Sequence, residues 1–156
     1  MSLTTNKNFL QPTGFRVIID REKYANLEFF AQSVQHPGSS VDARDIPIPK
    51  FAAIPIAGDK ITYSELNINL IVDEDMSAYK EMQSWLERLI DTPDTPDLYN
   101  DVTVIILTSH NNTNRQIRYK NCIPVMIGSI EFTSTVGDTT FVTFDASFRF
   151  SSFEIL

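Results

Sequence analysis

Between Ala57 and Ile90 the hydrophobic pattern changes its period, and that change limits the possible folds more than any other feature of the chain. Gly58-Asp59-Lys60 has turn chemistry and leads into residues 65–70, where Leu66, Ile68 and Leu70 alternate with Glu65, Asn67 and Asn69. A strand with this alternation has one face in a core and the other in water. Asp73, Glu74 and Asp75 then open a helix over about residues 76–91, in which Tyr79, Met82, Leu86, Leu89 and Ile90 recur at three- and four-residue spacing. Asp75 or Ser77 is the predicted cap, the acids suit the positive end of the helix dipole, and Arg88 suits the other end before Thr92-Pro93 stops the helix. The only tryptophan, Trp85, falls inside it, where a large aromatic supplies packing area against a sheet.

The rest of the chain reads as strands and turns. Residues 1–13 are polar and end at Pro12-Thr13-Gly14, predicting a flexible N-terminal arm and a turn. Residues 15–20 place Phe15, Val17 and Ile19 on one face of a first strand, and residues 27–35 predict a second, closed by a turn at His36-Pro37-Gly38-Ser39-Ser40. Residues 41–57 set Pro47, Pro49 and Pro55 among Ile46, Ile48, Phe51, Ile54 and Ile56. Proline cannot donate to a strand ladder, so the segment is an extended arm or an edge hairpin, its apolar side chains covered by a neighbouring subunit or by the chain's own sheet.

Residues 93–101 form a loop carrying Asp94, Asp97 and Asp101, followed by a β-branched strand at 102–108, a tip at His110-Asn111-Asn112-Thr113-Asn114, and a return strand at 115–120. A further strand at 123–133 is expected to bend near Pro124 and Gly128. After a Gly137-Asp138 turn comes the longest alternation, with Val142, Phe144, Ala146, Phe148 and Phe150 facing a core and Thr143, Asp145, Ser147, Arg149 and Ser151 facing water. These elements predict one domain over residues 1–156, mainly β, a sandwich or barrel-like sheet with one flanking helix; 42% apolar content supports one core.

Little catalytic chemistry is visible. His36 and His110 lie beside turn residues, Asp73, Glu74 and Asp75 lack the glycine-centred loop of a calcium site, and the single Cys122 excludes a four-cysteine zinc site and an intrachain disulfide. Five glycines form no phosphate-cradling loop, dinucleotide fingerprint or nucleophile elbow. The net charge of −7 opposes a phosphate-gripping role, the apolar runs are too short to span a membrane, and residues 1–7 lack a secretory core, so synthesis and retention in the cytoplasm are expected, with no cofactor and no metal. An enzyme would have to use Glu65 and Asp145 as paired carboxylates on the polar sheet face.

From about residue 14 to residue 150 the order of elements resembles the tail-tube family of contractile-tailed bacteriophages, including the baseplate tube-junction proteins. The matching residues are Ala57-Gly58-Asp59-Lys60, Val72-Asp73-Glu74, Tyr79-x-x-Met82-Gln83-x-Trp85, Cys122-Ile123-Pro124, and Thr140-Phe141-x-x-Phe144-Asp145-Ala146-Ser147-Phe148. The resemblance implies a non-enzymatic homo-hexameric ring, stacked on adjacent tube rings, meeting baseplate hub or junction proteins and sheath, and letting DNA pass without specific binding. It implies a protein made in the host cytoplasm and carried in the virion tail, as main tube or initiator; a contractile injection or secretion tube is the alternative. On this basis Glu65, Asn67, Asn69, Thr143, Asp145, Ser147 and Arg149 are expected to face the lumen. Ile46, Pro47, Ile48, Pro49, Phe51 and Ile54 are expected to form an inter-subunit arm, and Phe153, Ile155 and Leu156 to contact the next ring or a neighbouring protein.

Overall fold

The computed structural model describes residues 8–20, 22–92, 96–135 and 141–156. Along the chain run β1 (Phe15–Ile18), α1 (Ala25–Phe29), β2 (Ala31–Gln35), β3 (Ser39–Ile46), β4 (Ile54–Tyr63), β5 (Leu66–Ile71) and α2 (Ser77–Asp91). A 3₁₀ turn (Pro96–Leu98), β6 (Asn100–Leu107), β7 (Thr113–Ile127), β8 (Thr143–Arg149) and β9 (Ser152–Ile155) follow. Seven strands make one antiparallel sheet in the order β1-β6-β7-β8-β5-β2, with β9 also on β7, while β3 and β4 form a separate two-stranded ribbon. The expected mainly-β architecture with a flanking helix is present.

The seven-stranded sheet bends where β7 changes partners. Residues 117–120 of β7 pair with β9 and residues 123–127 with β8, so β8 and β9 lie in succession along one side of β7. Asn121 stands at the change with a left-handed backbone (φ 53°), which asparagine tolerates better than most residues. Its backbone N–H donates to Asp101 Oδ1 (3.1 Å), and its amide donates to Ser151 Oγ (3.3 Å), tying the two bends together. On its other side β7 is covered by β6 only as far as Cys122, so from Ile123 to Ile127 that edge has no strand partner among the described residues. Burial pushes the Cys122 thiol up to about 12, and its Sγ donates to the Tyr119 carbonyl at 3.4 Å, which makes it a packing residue.

The core fills the bend. Val17, Val102, Val104, Ile117 and Tyr119 from one half meet Leu66, Ile68, Leu70, Phe144, Ala146 and Phe148 from the other, closed by Leu27, Ala78, Met82 and Trp85 from the helices. Trp85 is fully buried, stacks on Tyr24 at 4.7 Å, lies 5.6 Å from Phe148, and donates Nε1–H to the Leu98 carbonyl at 2.9 Å. The α2 cap differs from the expectation. Neither Asp75 nor Ser77 provides it; Asp73 Oδ1 accepts the Ser77 N–H at 2.7 Å, four residues back. Desolvation pushes the Asp73 carboxyl up, and the bonds from Ser77 and Ala78 together outweigh it and hold it below its ordinary value.

Other expectations are corrected. The strand predicted over 27–35 is a helix followed by β2, because Glu81 of α2 accepts from Asn26 Nδ2 (2.7 Å) and the Leu27 N–H (3.2 Å) and draws Leu27 into the core. That tertiary contact overrides local β propensity. The strands predicted at 115–120 and 123–133 are one strand, β7, bent at Asn121 and ending before Gly128. Of the predicted N-terminal arm only residues 8–13 are described, and the Gly137-Asp138 turn lies outside the described residues.

Gly58-Asp59-Lys60 is likewise no turn. The β3–β4 register passes from Val41↔Ile61 to Ala43↔Ala57, so these three residues bulge opposite Asp42. A Cβ on Gly58 would stand 2.0 Å from the Asp42 carbonyl oxygen, so the bulge requires glycine. Gly58→Ala is expected to speed amide exchange over residues 39–63 by on the order of 10-fold, with the melting temperature moved by no more than about 2 °C, because the ribbon lies outside the core. Exchange unchanged from wild type would show that Asp42 yields without cost.

Candidate functional site

Two surfaces stand out, a polar sheet face and the projecting ribbon. The first is the outer side of β2, β5, β8 and the second half of β7. Register puts Gln35, Asn67, Ser147 and Met126 in one row across it, and Ser33, Asn69 and Asp145 in the next. Alternation explains the face, since Leu66, Ile68, Leu70, Phe144, Ala146 and Phe148 all point the other way into the core. Cross-strand bonds pair the side chains in each row. Asn69 Nδ2 donates to Asp145 Oδ1 at 2.6 Å, and Ser147 Oγ donates to Asn67 Oδ1 at 2.6 Å.

Of the polar residues singled out from the sequence, Glu65, Asp145 and Arg149 are exposed, and Asn67, Asn69 and Thr143 are half-buried. Ser147 departs from the expected solvated position, being only 2% exposed. Its small side chain lies in the row between Asn67 and the much larger Met126, and its hydroxyl is spent on Asn67. Met126, half exposed on this face, was not foreseen; the register shift between Pro124 and Met126 sends it there. Asp145 is held by its bond from Asn69.

The second surface is the β3–β4 ribbon. Every residue of β3 is exposed, and Val41, Ile46, Ile54, Ile56 and Ile61 show about half of their surface to solvent. This overturns the alternative that the segment packs on the chain's own sheet; the edge-hairpin form is the one observed. Ile46 pairs with Ile54, and Pro55 sits opposite Asp45, within the ribbon. At the tip, the Phe51 N–H donates to the Ile48 carbonyl (3.2 Å) around Pro49 and Lys50, and Lys50 has a left-handed backbone (φ 71°). Proline followed by a positive φ is type II turn geometry, and it leaves Phe51 78% exposed.

Aromatic rings hold the root of the ribbon. Tyr63 lies 5.3 Å from Phe150 and 5.5 Å from Phe153, and the Phe153 ring meets His36 edge-on at 5.0 Å. His36 Nδ1 and the Tyr119 hydroxyl are hydrogen-bonded at 2.6 Å; burial, with Cys122 beside it, pushes the Tyr119 phenol well above its ordinary value, so it stays protonated. His36 is thus an exposed loop histidine as expected, with a specific partner that was not. The Phe150-x-x-Phe153 spacing was the available sequence signal, since a bend between them lets both rings reach one cluster. Beside this root, Tyr99, Asn121, Ile123, Arg149, Phe150 and Ser151 line an open depression of about 470 Å³.

His110 is exposed in the β6–β7 turn, and among the described residues no three His, Cys, Asp or Glu side chains are placed to hold a metal ion. The two surfaces are thus a polar sheet face and an exposed apolar projection.

No curated protein sequence matches the chain. A chain of the cryo-EM structure of the PVC extracellular contractile injection system, a sheath–tube complex in the extended state, is 15% identical, with 99% of each chain covered and a TM-score of 0.70. A chain of the six-fold symmetrised anti-feeding prophage baseplate is 9% identical, with 100% of this chain and 97% of that one covered and a TM-score of 0.64. Hcp1 from Flavobacterium johnsoniae is 11% identical, with 94% of each chain covered and a TM-score of 0.50. The model of the phage tail tube protein family matches residues 2–156, so this chain belongs to that family.

Proposed function

We propose that six copies close into a ring, that rings stack into a tail tube, and that the polar face of β2, β5, β8 and β7 lines a channel through which DNA leaves. The observation that carries this reading is the four-stranded polar face with, among the described residues, an unpartnered strand at each side, β2 on one and residues 123–127 of β7 on the other. Open edges invite pairing, and joining the β2 edge of one copy to the β7 edge of the next removes both. The two edges differ, so the contact is head-to-tail, and it closes into a ring where the rotation between copies brings the last to the first.

The lumen would then carry Glu65, Asn67, Asn69, Thr143, Asp145 and Arg149, with Ser147 beneath them as a structural hydroxyl. Six copies at −7 each carry −42, which opposes phosphate binding along the wall. Hydrogen bonds within the rows also occupy Asn67, Asn69 and Asp145, which would otherwise grip a passing backbone. The exposed ribbon supplies contacts between subunits, and the tube sits in the virion tail between sheath and baseplate proteins after synthesis in the host cytoplasm.

Negative-stain microscopy of concentrated protein tests the ring, and monodisperse single chains would overturn it. Replacing Glu65 and Asp145 by lysine is expected to leave tubes intact and slow DNA ejection by on the order of 10-fold. Ejection at the wild-type rate would remove those two residues from the channel wall.

A further inference from the structure

Tyr119 lies in the core with no solvent exposure, and the partner of its hydroxyl among the described residues is Nδ1 of His36, 2.6 Å away. Burial keeps the phenol protonated, so its O–H has to donate, and a buried donor needs an acceptor. Nδ1 accepts only as a bare ring nitrogen, which puts the imidazole hydrogen on Nε2. A second proton then has one place to go, Nδ1 itself.

We propose that proton uptake by His36 unclasps the root of the β3–β4 ribbon, so that the projection is held to the sheet at neutral pH and released in mild acid. With Nδ1 protonated, the bond can run only from the ring to the phenol oxygen, and the Tyr119 O–H is left without an acceptor inside the fold. The imidazolium itself also needs solvent. Because His36 is exposed, both needs are met when the ring swings outward and water follows it.

The ribbon is what that movement frees. His36 meets the Phe153 ring edge-on at 5.0 Å, and Tyr63 of β4 lies 5.5 Å from the same ring and 5.3 Å from Phe150, so the two residues grip one cluster from the two strands of the root. His36 joins β3 through Pro37, which is buried and has a fixed φ, and through Gly38, whose carbonyl accepts the Ser64 N–H at 2.9 Å to close the ribbon. Motion of His36 is therefore passed to the first pair of the ribbon.

The surrounding groups leave the imidazole as the switch. On its side of the sheet the titratable side chains are the phenols of Tyr119 and Tyr63 and the buried Cys122 thiol, pushed up to about 12. Arg118 and Lys120 of β7 and Glu154 of β9 alternate with Tyr119 and Phe153, so they occupy the other face, where Glu154 pairs with both cations at 3.7 and 3.1 Å. Glu65 and Arg149 are exposed beside the polar face, and Asp59 and Lys60 of the ribbon sit in its bulge opposite Asp42. Among the described residues no carboxylate pairs with His36. An imidazole is the side chain that ordinarily changes charge between pH 5 and 8, and the other histidine, His110, stands in the β6–β7 turn.

Amide exchange of dilute single chains tests the clasp, read as protection factors so that the intrinsic effect of pH on exchange cancels. Between about pH 7.5 and about pH 5.5, protection over β3 and β4 is expected to fall on the order of 10-fold while β5 and β8 keep theirs. His36→Gln offers an uncharged carbonyl to the same hydroxyl and should show no fall. Tyr119→Phe has no hydroxyl to strand and should show none either, whereas His110→Gln should fall as the wild type does. No fall in the wild type, or a fall of wild-type size in His36→Gln or Tyr119→Phe, overturns the clasp. NMR of the imidazole carbons gives a second reading. The Nε2–H tautomer of His36 is expected at neutral pH, and the Nδ1–H tautomer would reverse the bond and overturn the proposal. A chain that never forms rings still decides the matter, since every one of these readings is made on a single copy.

Discussion

Trp85→Ala is expected to lower the unfolding free energy by about 4 kcal/mol, the middle of the range for deleting a buried aromatic. The indole has no solvent exposure and is sandwiched between Tyr24 and Phe148, so its removal leaves a cavity that the helix and β8 cannot both relax to fill. The Leu98 carbonyl, which accepts Nε1–H at 2.9 Å, also loses its partner. Arg88 is affected too, because its guanidinium lies over Tyr24, 5.4 Å from the ring centroid, and donates to the Tyr24 hydroxyl. At about 2–4 °C per kcal/mol for a chain of this size, the melting temperature should fall by roughly 8–16 °C. Trp85→Phe keeps most of the volume and should lose about 1–2 kcal/mol. Urea titration of the three proteins decides it, and a loss below about 1 kcal/mol for the alanine variant would mean that Trp85 does not join helix to sheet.

Deleting residues 46–54 should have the opposite profile, with assembly abolished and the fold kept. The deletion removes Ile46, Ile48, Phe51 and Ile54, and it leaves the core cluster untouched because none of these residues belongs to it. Pro55 and Asp45 already face each other across the ribbon, so the cut ends lie next to each other. Unfolding free energy should change by less than about 1 kcal/mol, in line with other surface changes. Light scattering should report single chains at concentrations where the wild-type protein forms the proposed rings. Rings of wild-type size from the deleted protein would refute an inter-subunit role for the ribbon. The pair of variants separates stability from assembly, since one attacks the core alone and the other the projection alone.

The sequence was most legible where one physical signal acted alone. In β5 and β8 the alternation of Leu66, Ile68 and Leu70, and of Phe144, Ala146 and Phe148, reports burial on one face directly, and the structure buries all six. The helix was equally clear because its apolar positions repeat over fifteen residues, Ser77–Asp91. Failures came where distant partners decide. Residues 25–29 became helical through Glu81, more than fifty positions away, and no local pattern announces that bond. Gly58-Asp59-Lys60 has the composition of a turn, and only the pairing with Asp42 distinguishes a bulge from one. Ser147 looked wet by alternation, yet its bond to Asn67 and its place in the row beside Met126 take it from solvent. Likewise, the aromatic root of the ribbon gathers His36, Tyr63, Tyr119, Phe150 and Phe153 from separate segments, a set that spacing hints at only for the last two.

The ribbon is two strands wide, with no third strand and no helix over it among the described residues. A two-stranded hairpin is marginal by itself in water, so in an isolated protomer its shape is only weakly enforced beyond the aromatic anchor. In the proposed tube each newcomer would lose backbone freedom at the moment it is captured. Growth from an existing end, which would offer a ready-made mould, would then be easier than starting anew from free molecules, so the same economy of strands that leaves the projection adaptable would make spontaneous nucleation slow.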